Sequence, residues 1–249
     1  MTIEILPDAD ALALRAADLF ALASQEAAAA RGRFAVALSG GETPRSLYRL
    51  LARQQFSQKV PWRRVQLYWG DERCVPADDA ASNYGAARDA FIRHVPIPEA
   101  NVHRLRGEDD PEAAARACEQ ELRALAALER PTSDTPVFDL MLLGLGPDGH
   151  TASLFPHGPA LDEEERFCVP SQAPDGSARL TVTYPVINAA RRVWFLVSGA
   201  HKAGMVAEVL EGLRVPKAVP AQGVAPTTGT LTWLLDEAAA AELSAAVRG

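Results

Sequence analysis

Residues Val137–Pro156 read VFDLMLLGLGPDGHTASLFP, an apolar run that ends in a glycine-rich turn and then in polar side chains. The run Phe138–Leu143 is short, bounded by glycine and interrupted only by Asp139, which is typical of a strand buried on both faces. Glycines at the density of Gly144–Gly149 allow positive φ angles and let a ligand approach the backbone. The pattern predicts a buried strand whose carboxyl end carries a binding site, as in open α/β sheets.

His150 is the candidate catalytic residue of this turn. A neutral imidazole can take a proton from water, and Asp148 is placed two residues earlier to orient the ring or raise its basicity. Thr151 and Ser153 add hydroxyl groups at the same strand end. These residue types indicate water attack or proton transfer on a small molecule.

A glycine turn also follows the strand predicted at Phe34–Leu38. The turn reads Ser39-Gly40-Gly41-Glu42-Thr43-Pro44, and Thr43 is expected to cap a helix that begins at Pro44 and runs to about Arg53. The free N–H groups and dipole at a helix start attract anions, typically phosphate. The alternative is an ordinary tight turn between a strand and a helix.

Charged side chains follow two more predicted strands. Val65–Trp69 precedes Gly70-Asp71-Glu72-Arg73, where Arg73 suits phosphate recognition because it is permanently charged and multidentate. The roles of Asp71 and Glu72 stay open between catalysis and support of Arg73. The alternative reading of this segment is a solvated charge cluster.

Lys202 follows the strand predicted at Arg192–Ser198, on the first turn of a helix to about Glu211. A cation is unfavourable at a helix start, which suggests an anion nearby, although a lysine on a helix is often only solvated. The carboxyl ends of parallel strands share one edge of a sheet. The polar groups after all four strands are therefore expected to line one cleft with His150.

The order of elements predicts an α/β, Rossmann-like fold with a mainly parallel sheet and helices on both faces. A small antiparallel extension is expected around residues 167–184, including a strand with one wet face at Arg179–Tyr184. Residues 1–249 are expected to form a single domain. Four further helices are predicted: over 8–31, from Asn83 (capped by Ser82) to about Arg93, from Pro111 to about Glu129, and over Leu231–Val247. A short strand is considered at Val102–Leu105. Loops are predicted at 131–136, 156–165 and 212–230.

Composition narrows the class of protein. The formal net charge of −7 gives no reason to expect nucleic acid as a partner. No apolar run reaches the ~18–20 residues of a membrane helix, and the first residues do not resemble a signal peptide. The three cysteines, Cys74, Cys118 and Cys168, are far apart in sequence and argue for a cytoplasmic protein without a disulfide framework or a zinc site.

One competing motif lies in the central turn itself. Gly144, Gly146 and Gly149 match the dinucleotide fingerprint G-x-G-x-x-G after a strand, and Glu163 or Glu164 follows at a suitable distance. However, the proline and aspartate at 147 and 148 occupy the place of the pyrophosphate, and the aspartate would repel it. A dinucleotide site is therefore the less favoured interpretation.

Five segments match a known family in order over roughly residues 35–236. They are SGGETP at 39–44, GDERCVP with SNYG at 70–85, GLGPDGHTASLFP at 144–156, RLTVTYPVINAARRVWFLVSGAHKA at 179–203 and TWLLD at 232–236. On these segments the chain resembles the 6-phosphogluconolactonase family. The resemblance implies a Rossmann-like sheet shared with glucosamine-6-phosphate deaminases and ribose-5-phosphate isomerases. It also implies hydrolysis of 6-phospho-D-glucono-1,5-lactone in the oxidative pentose phosphate pathway, without a metal or organic cofactor.

Carried over by motif, His150 corresponds to the proposed general base, with Asp148 beside it. The chain departs from the family pattern at Pro220-Ala221-Gln222-Gly223, where a PAS-type motif would be expected. The resemblance implies that Arg73 and Lys202 bind the phosphate of the substrate. It also implies substrate contacts from Arg179, which is the weaker correspondence, and from the SGGETP turn at Ser39, Gly40, Gly41 and Thr43.

Two alternatives to the lactonase remain at this stage. Related deaminases would have tyrosine after the Asp-Glu pair and an A-F-N-E-P run after Gly-His, whereas this chain has Arg73 and the run Thr151–Pro156. The deaminase run includes a glutamate of the proton-transfer set, and Phe155 offers no such group. A sugar-phosphate-binding regulator without turnover is the second alternative, and an assay of lactone hydrolysis distinguishes it.

Overall fold

A computed structural model describes residues 1–128 and 134–248 of the chain. Within these residues, six parallel strands form the main sheet. The strand order across the sheet is β1-β9-β8-β5-β2-β3. The strands of this sheet are β1 (Thr2–Leu6), β2 (Phe34–Leu38), β3 (Val65–Trp69), β5 (Leu140–Leu143), β8 (Arg192–Val197) and β9 (Thr230–Asp236).

The two central strands, β2 and β5, carry apolar side chains on both faces and are buried throughout. They pair in parallel, with Val36 opposite Leu140 and Ala37 opposite Met141. From β2 the chain continues outward to β3, whereas from β5 it continues the other way to β8 and β9. The boundary between β2 and β5 is therefore a topological switch point, where open α/β sheets bind ligands.

Helices pack against this sheet, as the sequence predicted. The longest, α1, contacts β1, β2 and β9 and buries the ring of Phe20 edge-on against Phe34 at 5.3 Å. Within the described residues, no helix combines the length and apolar composition needed to cross a bilayer. The helices are α1 (Ala9–Arg31), α2 (Glu42–Leu51), α3 (Gln54–Ser57), α4 (Asn83–Ala90), α5 (Pro111–Ala127), α6 (Tyr184–Ala189), α7 (Ala203–Glu211) and α8 (Ala245–Arg248).

A second, antiparallel sheet confirms the predicted small extension. Its strand order is β4-β7-β6, with β4 at Asp71–Arg73, β6 at Cys168–Gln172 and β7 at Ala178–Val182. The prediction of a wet face on the strand at 179–184 is wrong, because Thr181 and Thr183 are fully buried. Thr181 pairs with both neighbouring strands, and its hydroxyl donates to the carbonyl of Val182, which satisfies the buried group.

The predicted closing helix over Leu231–Val247 is wrong. Residues Thr230–Asp236 form β9 between β1 and β8, and only Ala245–Arg248 are helical in that region. Trp233 stacks on Phe195 of β8 at 4.0 Å, so the apolar run packs within the sheet. β1, which sequence reasoning missed, completes the edge.

Several element boundaries differ from the predictions. α2 begins at Glu42 after the cap residue Gly41, so Thr43 lies inside the first turn and is not the cap. Ser82 caps α4 as expected, and Asp110 caps α5. α4 ends at Ala90, before a 3₁₀ turn at 92–94, and the 102–105 segment forms a single bridge and not a strand. Two predictions lie outside the described residues: the end of α5 at Glu129 and the loop residues 131–133. The predicted loop at 156–165 contains a short 3₁₀ turn at 159–162, and the loop at 212–230 contains another at 220–223.

Candidate active site

A cleft of about 550 Å³ opens at the carboxyl edge of the main sheet, above the switch point between β2 and β5. It is walled by the segments that follow β2, β3, β5 and β8, which are the four strand ends that the sequence singled out. The loops converge because the strands are parallel and their carboxyl ends share an edge. The predicted residues among its walls are Ser39, Gly40, Gly41, Thr43, Arg73, His150 and Lys202.

His150 and Asp148 form a close hydrogen-bonded pair in the turn after β5. The Nδ1 atom of His150 lies 2.5 Å from Oδ1 of Asp148, and the same oxygen accepts the backbone N–H of His150 at 3.2 Å. A carboxylate can only accept hydrogen bonds, so Nδ1 is the donor. In the neutral ring, Nε2 then carries the lone pair and is the atom that can take a proton.

The surroundings of Asp148 favour its charged form. Partial burial acts to raise the pKa of the carboxyl, but the hydrogen bonds and positive charge of His150 outweigh it and lower the pKa below its usual value. Asp148 therefore remains an anion around neutral pH. It can stabilise the imidazolium that forms when His150 takes up a proton.

Glycines in the turn make room for the histidine ring. A Cβ atom on Gly146 would lie 2.0 Å from Nδ1 of His150, so only glycine permits this ring position. Gly149 has a φ of +81°, a conformation that side chains disfavour. The N–H of Gly146 donates to the carbonyl of His150, and that of Gly149 to the carbonyl of Gly146. These hydrogen bonds close the turn on itself. In a dinucleotide-binding fingerprint the glycines lead directly into a helix, whereas here no helix begins before residue 159.

The start of α2 forms a second wall of the cleft. Gly41 caps the helix with a φ of +100° and provides no side-chain cap. The first N–H groups of a helix have no partner within the helix, and the positive end of the helix dipole lies at the same place. The start of α2 therefore favours an anion in the cleft. Thr43 and Ser198 share a hydrogen bond of 2.8 Å between their hydroxyls and so connect this wall to the loop after β8.

Lys202 lies at the start of α7, as the sequence predicted, and lines the same cleft. Burial lowers the pKa of its ammonium group, and the nearby Asp148 carboxylate opposes that shift. The position therefore favours a bound anion that would compensate the buried charge. Gly199, which begins this loop, donates its N–H to both carboxylate oxygens of Asp236 at 3.0 Å.

Glu72 supports Arg73 and belongs to the framework of the cleft. Its carboxylate is buried and accepts the backbone N–H groups of Arg73, Asn83 and Tyr84 at 2.7–2.8 Å. Burial raises the pKa of Glu72, and these three donors oppose the shift. The guanidinium of Arg73 donates to the carbonyl of Ala81 and lines the cleft.

Asp71 is a cleft residue whose role the sequence left open. Its carboxylate is 8% exposed, and Oδ2 accepts the hydroxyl of Ser153 at 2.8 Å. Asn83 donates to the Asp71 carbonyl at 2.9 Å, and a Cβ on Gly40 would lie 2.0 Å from Asn83 Oδ1. Gly40 therefore makes room for Asn83. The only signal in the sequence was the position of Asp71 at a strand end.

Two other residues from the sequence analysis lie outside the cleft wall. Arg179 sits on β7 directly opposite Arg73 of β4, but it is not among the residues that line the cleft. Gln222 is buried behind the cleft in the 3₁₀ turn Pro220–Gly223. Within residues 1–128 and 134–248, no three histidine, cysteine, aspartate or glutamate side chains are grouped so as to hold a metal ion.

The fold and the cleft together define a class of protein, a Rossmann-like α/β protein with a histidine–carboxylate pair and basic side chains at the carboxyl edge of its sheet. The family model described as glucosamine-6-phosphate isomerases/6-phosphogluconolactonase matches residues 7–233. The chain therefore belongs to this family.

Relatives with two different activities resemble this chain within the family. A 6-phosphogluconolactonase from Nostoc sp. is 42% identical over 244 residues, which cover 98% of each chain. The solved 6-phosphogluconolactonase from Trypanosoma brucei superposes with a TM-score of 0.83 at 28% identity, covering 98% of both chains. A monomeric glucosamine-6-phosphate deaminase gives a TM-score of 0.80 at 25% identity, covering 97% of this chain and all of that one. The two activities share the fold, so the residues of the site must distinguish them.

Proposed function

We propose that the protein hydrolyses 6-phospho-D-glucono-1,5-lactone to 6-phospho-D-gluconate in the oxidative pentose phosphate pathway, with His150 as the general base. The observation that carries the proposal is the pair formed by His150 and Asp148 in a cleft that also contains basic side chains and a helix start. The lactonase relatives support the choice of substrate.

In the first step, Nε2 of neutral His150 takes a proton from a water molecule as the water oxygen attacks the lactone carbonyl carbon. The new imidazolium is stabilised by the Asp148 carboxylate on its other nitrogen. Negative charge develops on the carbonyl oxygen of the tetrahedral intermediate. Backbone N–H groups of the glycine-rich turns are the donors proposed to stabilise that charge.

In the second step, the bond between the carbonyl carbon and the ring oxygen breaks. His150 returns its proton to the ring oxygen, which becomes the C5 hydroxyl, and the histidine is neutral again. The carboxylic acid product then ionises and releases one proton to the solvent. Base and acid are the same residue, so the cycle needs no second proton carrier.

The two ends of the substrate are assigned to different walls of the cleft. Arg73 and Lys202 bind the phosphate, whose negative charge would compensate the partial burial of the Lys202 ammonium group. The turn Ser39–Thr43 contacts the lactone, and Asp71 accepts hydroxyl groups of the sugar, since its carboxylate is fixed by Ser153 at the cleft wall. Arg179 remains the weakest of the proposed contacts because it lies outside that wall.

The environment of His150 favours the lactonase over a deaminase. Phe155 packs its ring 4.7 Å from the imidazole of His150, where the deaminase run would provide a carboxylate. An apolar ring cannot exchange protons with an amino sugar. Water activation by one histidine requires no such partner.

The proposal treats residues 1–249 as one catalytic domain, which is supported by β1 and β9 pairing within the same sheet. It also places the enzyme in the cytoplasm, where the three free cysteines would stay reduced.

Acid release from freshly prepared phosphogluconolactone tests the function. We expect hydrolysis well above a protein-free control, with one proton released per lactone, and no ammonia from glucosamine 6-phosphate. A rate equal to the control would favour a non-catalytic sugar-phosphate-binding protein. Ammonia release would favour the deaminase.

A further inference from the structure

The 3₁₀ turn Pro220–Gly223 lies directly behind the catalytic turn and contacts its backbone. The N–H of Ala221 donates to the carbonyl of Gly149 at 2.8 Å. The other polar atom of that peptide group, the N–H of His150, donates to Asp148. The peptide unit that carries His150 is therefore fixed on both sides, by the catalytic carboxylate and by the turn at 220–223.

Gln222 holds this turn through all the hydrogen-bonding groups of its side chain. Its Nε2 donates to the carbonyls of Glu208 and Leu213, each at 3.0 Å, and its Oε1 accepts the N–H of Val215 at 2.7 Å. The side chain is 9% exposed. It thus satisfies backbone groups near the end of α7 and in the segment that leads into the turn.

Close packing connects the turn to the catalytic loop. A Cβ on Gly149 would lie 2.9 Å from Cγ1 of Val219, and the hydroxyl of Tyr184 donates to the carbonyl of Pro220 at 2.7 Å. A Cβ on Gly223 would lie 2.5 Å from the ring of Tyr184. At this density, a shift of the turn must be transmitted to Gly149, because no free space absorbs it.

We propose that Gln222 is a positioning residue for the reaction. By fixing the turn at 220–223, it maintains the hydrogen bond from the N–H of Ala221 to the carbonyl of Gly149. The His150 imidazole is thereby held in position to donate to Asp148 and to accept a proton from the attacking water. The inference rests on the function proposed above. It assigns a role to the position at which the chain departs from the PAS-type motif of the family it resembles.

The position of Gln222 predicts an effect on turnover more than on substrate binding. Lys202 lies at the start of α7, whereas Gln222 contacts α7 near its other end, at Glu208. Arg73 is on β4, in the second sheet. Both proposed phosphate ligands are therefore outside the segment that Gln222 holds.

The test is the Gln222→Met variant, which keeps side-chain length and removes all three hydrogen bonds. We expect kcat for the lactone to fall by about tenfold to a hundredfold, as for a small misplacement of a catalytic group, with KM nearly unchanged. A second readout is the downfield proton NMR signal of His150 Nδ1–H, assigned by its loss in His150→Ala. We expect this signal to shift or broaden in Gln222→Met.

Asn101→Leu is the matched control. Asn101 also donates its side-chain amide to two backbone carbonyls, those of Arg63 and Val65, but at the beginning of β3 and away from the cleft. We expect Asn101→Leu to lower the melting temperature without changing kcat or the NMR signal. If Gln222→Met does not fold, Gln222→Ser is measured in its place, since serine is the residue of the PAS-type motif and cannot span the same three groups.

Two results would overturn the inference: a wild-type kcat with an unchanged signal in the folded Gln222 variant, or equal losses of kcat in that variant and in Asn101→Leu. Failure of the proposed function is distinguishable, because the wild-type protein itself would then show no lactone hydrolysis. The NMR signal reports the position of His150 in either case.

Discussion

Asp148 accepts the Nδ1 hydrogen of His150 over a distance of 2.5 Å, and it does so from a position only two residues earlier in the chain. A single tight turn therefore supplies both the proposed base and the carboxylate that accepts its hydrogen bond. The lone pair of the neutral ring is left on Nε2, since Nδ1 donates to Asp148.

Replacing Asp148 by asparagine should uncouple the histidine from its orienting carboxylate. We expect kcat to fall by ~10²-fold or more, because the amide does not select the same tautomer or stabilise the imidazolium. KM should change little, since Asp148 is not a phosphate ligand. Steady-state kinetics on fresh lactone measure both quantities, and an unchanged kcat would remove Asp148 from the mechanism.

The same variant has a defined pH signature in stability. The folded-state pKa of Asp148 lies below its usual value, so the carboxylate contributes stability above the unfolded pKa, ~3.9, and loses it as the pH falls through the folded pKa. The difference in unfolding free energy between wild type and Asp148→Asn should therefore shrink as the pH falls below about 4 and the carboxylate takes up a proton. A difference that grew as the pH fell below about 4 would have the wrong sign.

Gly146→Ala should lower kcat without a change of any polar group. The added methyl would lie 2.0 Å from Nδ1 of His150 and must displace the ring or the turn. We expect a loss of about 10²-fold, comparable to a ~1 Å misplacement of a catalytic group. Gly70→Ala is the matched control, because its nearest neighbour would be the carbonyl of Leu38 at 3.7 Å, an ordinary contact. Equal kinetics in the two variants would contradict the packing argument.

Arg73→Ala and Lys202→Ala should each raise KM with a smaller effect on kcat. Both side chains line the cleft and are the proposed ligands of the phosphate. Loss of one charge-assisted hydrogen bond is worth roughly 1.5–3 kcal/mol, or an increase in KM of about tenfold to a hundredfold. Arg106→Ala is the control, since Arg106 is exposed and paired with Asp109. A fall in kcat alone would move the affected residue from phosphate binding to the chemistry.

Asp139 should affect stability and not activity. The residue is 2% exposed, just before β5 and at the sheet edge opposite the cleft, and its carboxylate accepts hydrogen bonds from the guanidinium of Arg31 and the N–H of Ala35. Asp139→Asn should lower the free energy of unfolding by roughly 2–3 kcal/mol, less than for a fully buried pair because Arg31 is partly exposed. Denaturant unfolding measures this loss. A changed kcat in the folded variant would contradict the expectation that Asp139, at the edge opposite the cleft, affects stability alone.

The pairing of Asp148 with His150 could be predicted from sequence because their geometry is local. Asp148 and His150 are two residues apart, and the buried strand before them is an unbroken apolar run, so little tertiary information was needed. The convergence of four strand ends followed from the rule that parallel strands share an edge. The sequence could not decide between the two roles left open for Glu72, because its partners Asn83 and Tyr84 lie 11 and 12 residues further along the chain.

The error at β9 has a physical cause. The run Thr230–Asp236 is followed by alanines, whose helix propensity favoured a helix over the whole region. The strand forms because β1 and β8 lie on either side of it and Trp233 stacks on Phe195. Such pairing involves residues distant in sequence and overrides local propensity. Thr43 was misplaced as a helix cap for a simpler reason: Gly41, with positive φ, caps α2, which therefore begins two residues earlier than Pro44 suggested.

The sharpest test of His150 as the general base is the turnover of His150→Ala with 6-phospho-D-glucono-1,5-lactone. The rate must be corrected for spontaneous hydrolysis at the same pH, and substrate binding must be shown to persist. We expect kcat to fall by ~10²- to 10⁴-fold, the range of general base catalysis, while KM remains near that of the wild type. A kcat equal to the wild-type value would contradict the assignment of His150 as the base.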